Sequence, residues 1–478
     1  MKSMGRRVRS EGGYRDLLIL ALPLFVSTGS WAIQHFIYRM FLNWYSAEAV
    51  AAAMPAGILN FTLVSLFMGT AGYVSTFVAQ YYGSGRDGMI GKVLWQGLYI
   101  ALIAGAAIML IVPFSAEIFD LIGHDPSVRE SETVYFRVLC LGAAPLVATS
   151  AMSGFFSGIG KTWVIMIANI AATAVNLFLD YLLIFGVLGF PEMGIEGAGI
   201  ASVISACVAF AVSGAMIFRP DYNARYRNLA GWRFDPALFR RLLRYGFPNG
   251  VQFFIEVAAF AFFILFVGRL GITELAATNI AFNINTVAFM PMIGLGIAVS
   301  VLVGQQLGRR RADLAQYSVW SGFHLALYYM GTVALIYFFL PGIFIAPYAA
   351  RADAAEFAPI AEMTAVLLKF VAIYCVFDAM NIIFASAIKG AGDTRFVMYA
   401  IAILSIFGLV VPTFVVLFIL DMGIYAGWTV ATIFVGLMGV MFLLRFLGGR
   451  WKTMRVIEES HGVIPPMMPE KPTGGMEI

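Results

Sequence analysis

Long apolar runs, such as residues 93–112, 164–189 and 396–420, constrain this chain more than any other feature of its sequence. Each is long enough to cross a hydrocarbon layer of ~30 Å as an α-helix, which takes about 20 residues. Their apolar residues cover the whole helical cylinder rather than one stripe, the pattern expected where lipid is the solvent. Composition agrees, with 61% of the 478 residues hydrophobic and 12% charged, about half the charged fraction of a soluble domain. The chain therefore reads as an all-α membrane protein. Its basic residues sit in short interhelical loops, where they orient the chain rather than bind nucleic acid. Cys140, Cys207 and Cys375 lie inside apolar runs at no metal-ligand spacing and read as small buried hydrophobes. No phosphate loop, zinc motif or nucleophile elbow is present, so neither an enzyme, nor ATP-driven pumping, nor a bound cofactor is expected.

About twelve spans are expected, near 16–43, 53–82, 92–114, 132–159, 162–188, 196–218, 241–268, 275–306, 317–345, 360–388, 394–420 and 423–447. One set of alternate loops collects the N-terminal arginines, Arg86 and Lys92, Lys161, seven arginines between positions 219 and 244, Arg309 to Arg311, Lys389 and Arg395. The C-terminal tail with Arg450 and Arg455 belongs to the same set, and the opposite loops are neutral or acidic. The basic set is expected to be cytoplasmic, which puts both termini inside a cell's inner membrane. The chain then divides into a cytoplasmic segment 1–15, an N-lobe 16–218 of helices one to six, a cytoplasmic linker 219–240, a C-lobe 241–447 of helices seven to twelve, and a tail 448–478. Four prolines from position 465 onward mark the end of that tail as disordered.

The lobes repeat one another. With a shift of about 225 residues, Pro23 falls on Pro248, Gln80 on Gln305, Gly83 on Gly308 and Arg86 on Arg311. A slightly larger shift places the turn Gly158-x-Gly160 on Gly390-x-Gly392. Six helices is an even number, so both halves begin on the same side and are related by a pseudo-two-fold axis along the membrane normal. A central cleft between two such lobes suits alternating access, and a transporter becomes the leading class.

Ionisable side chains inside spans are costly and mark cavities or pathways. Glu256 is mid-span in the seventh helix, with Gln252 one turn earlier. Asp378 is mid-span in the tenth, with Tyr374 one turn before it and Asn381 on the same side. Asp180 follows Asn176 by one turn in the fifth, close to the helix end and water, and Asn279 and Asn283 share a face of the eighth. Two carboxylates with a phenol and amides suit Na⁺ through hard oxygen ligands; burial that raises a carboxyl pKa suits H⁺ instead. The repeat offsets put Trp31 and Leu146 opposite Glu256 and Asp378, so the scaffold was copied and these charges were not. This places the cation site, Glu256, Asp378 and Tyr374, in the C-lobe, with purely structural pairing to Lys369 or to neighbouring polar groups as the competing account. Arg39 and Arg137 read as snorkelling or paired cations, and Pro23, Pro145, Pro248, Pro291 and Pro412 as kinks.

In order along nearly the whole chain, the segments ending in Gln80 and Gln305, the two glycine turns and Asn176-Leu-Phe-Leu-Asp180-Tyr181 resemble the multidrug and toxic compound extrusion (MATE) family. Glu256, with Phe253 and Phe254 before it, and the Tyr374-Cys-Val-Phe-Asp378 segment are similar to the NorM-like branch, whose second-lobe Glu, Tyr and Asp form the cation site. The resemblance implies a V-shaped pair of six-helix lobes in a lipid bilayer, exporting small cationic or amphipathic compounds against Na⁺ or H⁺, and a monomer is expected. Many family members carry an acidic residue in the first helix where this chain has Tyr38 followed by Arg39, which removes half of a first-lobe proton switch. The alternative is a flippase for a lipid-linked precursor built on the same two-lobe plan, which calls for a strongly cationic cleft.

Overall fold

A computed structural model describes residues 10–122, 126–349 and 354–458; Arg6, Arg7, Arg9 and the proline-rich stretch lie outside them. Twelve spans follow in order: α1 (Tyr14–Tyr45), α2 (Glu48–Gly83), α3 (Asp87–Leu121), α4 (Val128–Leu141 continued by Ala143–Gly158), α5 (Thr162–Phe185), α6 (Gly194–Ile217), α7 (Pro236–Gly268), α8 (Ile272–Gly308), α9 (Ala312–Phe339), α10 (Phe357–Ala391), α11 (Thr394–Ile419) and α12 (Gly423–Leu447). Local chemistry fixes several ends. The Ser46 hydroxyl accepts from the Ala49 amide ahead of α2, and the Asp235 carboxylate caps the first amides of α7, with Pro236 at the first helical position. Gly186 closes α5 at φ 65°, a left-handed turn that suits glycine.

The expected proline kinks divide into two kinds. Pro23, Pro248 and Pro291 lie within continuous helices. By contrast, α4 breaks by 45° at Gly142, because the Pro145 ring crowds the carbonyl of Leu141 and supplies no N–H to it. Around Pro412 the helix widens into π-turns over Ser405–Val410 and Val415–Ile419, which absorb the missing hydrogen bond.

Two buried clusters of apolar side chains form two cores, one per six-helix lobe. Each borrows from the other lobe: Leu17, Leu20, Ala21 and Ala79 join the second core, Leu238 and Leu242 the first. The lobes meet where α1 and α2 pack against α7 and α8. Among the described residues, the hydrogen bonds joining them run from Thr28 donating to the Met290 carbonyl at 3.3 Å, near mid-membrane, down to the side of the arginine-rich loops.

The contact at that end repeats the internal duplication. Gln80 donates to the Gly390 carbonyl at 3.1 Å, and Gln305 to the Gly158 carbonyl at 2.8 Å. The Gly83 Cα lies against the Gln305 backbone, and the Gly308 Cα against that of Gln80. Each lobe thus inserts its glutamine into the glycine turn of the other, and only glycine leaves room for the backbones to approach this closely.

The C-terminal segment straps this contact. After α12, Trp451 stacks on Phe446 with ring centres 5.0 Å apart, and the chain crosses to the first lobe. There the Val456 amide donates to Gln80 Oε1 at 2.9 Å, and Val456 and Ile457 join the first core. Glu458 accepts from Tyr81 at 2.8 Å and pairs with Arg86 and Arg241. Burial pushes the Glu458 carboxyl up, but the hydrogen bonds from Arg241 and Tyr81 outweigh it and hold the group below its ordinary value of 4.5. A depressed carboxylate stabilises the docked strap above the unfolded pKa and loses that contribution as pH falls through the folded one. Spin labels at Lys452 and Met89 in a cysteine-free background are therefore expected to give a narrow distance distribution at pH 7. It should broaden in Glu458→Gln at pH 7, and in the parent only well below pH 4.5; an unchanged variant would show the strap to be held by Val456 and Ile457 alone.

Candidate functional site

In the second lobe, α7 packs on α11 and α8 while α10 packs on α8, α9 and α12, so the carboxylates of Glu256 and Asp378 project from helices that are not close neighbours. Even so, the two acids are near enough to feel one another's charge. Asp378 is 6% exposed and Glu256 half-buried. Gln252 donates to Glu256 Oε1 at 3.3 Å, and Asn381 to Asp378 Oδ1 at 3.4 Å. Tyr374 is buried within electrostatic range of Asp378. The pair therefore has amide neighbours and no guanidinium within ion-pair distance among the described residues.

One cation does reach this set, and the sequence reading did not single it out. Lys389, half-buried near the end of α10, lies close enough to Glu256 for their charges to interact. Its backbone carbonyl accepts from the Tyr73 hydroxyl of the first lobe at 2.7 Å. Lys369, expected as the structural ion-pair partner, instead points at the Phe338 ring at 5.9 Å on an exposed face. Asn283 is exposed on α8 and is not joined to the carboxylates. On the same helix the Asn285 side-chain oxygen is buried without a partner, as is Gln252 Oε1 beside Glu256.

The first lobe holds a second polar set. Asp180, expected close to water, is fully buried, and its Oδ1 has no hydrogen-bond partner. With the Asn176 amide turned to suit its neighbours, its nitrogen donates to Asp180 Oδ2 at 3.1 Å and its oxygen accepts from the Ser202 amide at 3.3 Å. Thr173 donates to Gln34 at 3.1 Å, Asn169 bonds Ser27, and the hydroxyls of Tyr38 and Tyr135 meet at 2.7 Å within reach of the Asp180 charge. Most of this was not singled out from sequence, yet the signal existed. Asn169, Thr173, Asn176 and Asp180 follow at helical spacings of four, three and four on one face of α5.

The remaining residues fall outside both sets. Arg137 donates to the Ser115 hydroxyl at 2.7 Å, Arg39 is exposed, and His35 packs edge-on against Trp31 at 4.6 Å. Cys207 is exposed on α6, unlike the buried Cys140 and Cys375, because that face of the helix looks outward from the bundle. Among the described residues no cluster of three His, Cys, Asp or Glu side chains is placed to hold a metal.

Two six-helix lobes, related by a repeat, joined at one end and each enclosing ionisable groups, define a two-lobed membrane transport protein. Comparison with known proteins gives the family. The MatE family model matches residues 23–182 and again 248–414, once in each lobe. A protein of Geobacillus kaustophilus named probable multidrug resistance protein NorM is 30% identical over 451 residues, covering 92% of this chain and 96% of that one. A Brucella suis protein of the same name is 26% identical over 435 residues, 90% and 92% of the two chains. Among solved structures, a MATE in complex with MaL6 superposes with a TM-score of 0.84 at 18% identity, over 95% of this chain and all of that one. A MOP superfamily transporter from Pyrococcus furiosus gives 0.83 at 19% identity, over 95% and 99%. The chain belongs to the MatE family.

Proposed function

We propose that the protein exports small cationic or amphipathic compounds in exchange for Na⁺ or H⁺, as a monomer in a cell's inner membrane with both termini in the cytoplasm. The observation that carries this reading is the second-lobe acid pair: Asp378, 6% exposed, within charge range of Glu256, both hydrogen-bonded to amides. Two carboxylates within range of one another's charge, one buried and one half-buried, favour an added positive charge, whether a proton on one of them or Na⁺ between them. Tyr374, Asn381 and Gln252 add oxygen donors of the kind either ion accepts. Coupling follows if the ion and the exported cation stabilise different arrangements of the lobes. With the basic loops cytoplasmic, the described arrangement is closed towards the cytoplasm and is the state that releases substrate outward. The relatives named for multidrug resistance support the substrate class.

A proteoliposome assay tests the proposal. Ethidium efflux is expected to follow one of two gradients imposed separately, Na⁺ or pH, and to collapse when that gradient is dissipated. Efflux indifferent to both would overturn cation coupling and favour the lipid-precursor flippase. Of the two cations that could make the cationic cleft such a flippase needs, Arg137 is turned onto Ser115, which leaves Arg39.

A further inference from the structure

On the side of the basic loops, where the turn from α10 to α11 meets the C-terminal segment, a cavity of about 350 Å³ is lined by Arg244, Tyr245, Asp393, Arg395, Thr453 and Arg455, among others. Its one carboxylate is already engaged: Asp393 Oδ2 accepts from two nitrogens of Arg445 at 2.7 and 2.8 Å. The charge this leaves facing the cavity includes the guanidinium groups of Arg244, on α7, and Arg395, on α11. Arg244 lies over the Tyr245 ring at 5.8 Å, which orients it without neutralising it. Such a cavity is within the size range of small-ligand sites, and convergent guanidinium groups are suited to phosphate oxygens.

The position of the cavity along the membrane normal narrows the ligand. On α7, Arg244 lies between the exposed Arg240 and Phe247, which is 50% exposed. On α11, Arg395 is followed one turn later by Tyr399, 61% exposed, and then by Ile403 and Phe407 on the outer surface. Both arginines thus stand where charged helix ends give way to outward-facing apolar surface, the level of lipid headgroups. We propose that this pocket binds the phosphate of an anionic phospholipid headgroup, with Arg244 and Arg395 as its principal contacts. The tail residues on its rim, Thr453 and Arg455, directly precede the strap at Val456 and Glu458. A bound headgroup therefore ties the tail to α7 and α11 and favours the docked strap. This inference does not depend on what the protein transports.

The test uses the full chain purified in neutral detergent, titrated with dioleoylphosphatidylglycerol, dioleoylphosphatidylcholine or inorganic phosphate. Thermal stability and lipid retention by native mass spectrometry are the readouts. Phosphatidylglycerol is expected to raise Tm saturably and to be retained, and phosphatidylcholine to do neither. An Arg244→Gln/Arg395→Gln variant should bind it about tenfold more weakly or worse, as two charge-assisted contacts are lost. Its lipid-free Tm reports whether it folds, and the Arg244→Lys/Arg395→Lys variant should bind with intermediate strength. Equal effects of the two lipids, an unchanged titration in the glutamine variant, or a shift reproduced by millimolar inorganic phosphate would each overturn the lipid assignment.

Discussion

Asp378→Asn is expected to insert, fold and bind ethidium like the parent, and to lose about a hundredfold of gradient-driven efflux, the upper part of the usual range for coupling between two ligands. Asparagine has the shape of aspartate and keeps an oxygen for Asn381, so the lost property is charge. Removing a charge that is 6% exposed and lacks an ion-pair partner leaves no stranded opposite charge behind, so stability should be unchanged or increase. Glu256→Gln should fall less. Glu256 is half-buried, already hydrogen-bonded to Gln252 and within range of the Lys389 charge, so part of its field is balanced before any ion arrives. Equilibrium binding separates the two steps: ethidium affinity near the parent value with efflux lost places the defect in coupling. Parent-level efflux from Asp378→Asn at equal abundance would transfer the coupling role to Asp180 in the first lobe.

The apolar runs carried the fold because lipid imposes its pattern on each helix separately: every expected span, even the broken α4, has a counterpart in the structure. The duplication carried one step further, since Gln80 and Gln305, aligned by sequence alone, turn out to make equivalent bonds across the two-fold. What was not legible depends on contacts between helices. Gln34 and Tyr135 are unremarkable until α1 and α4 bring them near Asp180, and Tyr38, which stood out only as a departure from the family, joins them there. Lys389 read as a loop cation because it stands at the end of an apolar run, and its reach towards Glu256 is a matter of side-chain direction. The strap was hidden for a similar reason. The segment after α12 mixes polar and apolar residues without a span's length, and its partners, Gln80, Tyr81, Arg86 and Arg241, lie far from it in the sequence.

Gly308→Val is expected to hold the lobes apart at the arginine-rich end. A Cβ at position 308 would sit in van der Waals overlap with the Gln80 carbonyl, and one at Gly83 in overlap with the Gln305 backbone. Backbone cannot rotate aside as a side chain can, so the whole interface must shift. Overpacking of this kind costs about 1–3 kcal/mol, roughly a fivefold to hundredfold change in a two-state population. Within each lobe the packing is untouched, so the variant should remain folded while spin labels across α2 and α8 report longer distances and ethidium efflux falls in proportion. Gly331→Val is the control: a Cβ at that position would meet nothing within 4 Å, and the variant should change neither reading beyond a small helix-propensity effect. Gln80→Ala with Gln305→Ala removes the paired hydrogen bonds without adding bulk, and should move distances the same way by less. If Gly308→Val kept both the parent distances and the parent efflux, the glycine contact would be incidental to closure. Closure would then rest on the other contacts between the lobes, chiefly α2 on α7, where Gly250 meets the Leu66 carbonyl and Asn249 bonds Gly69, and α1 on α8.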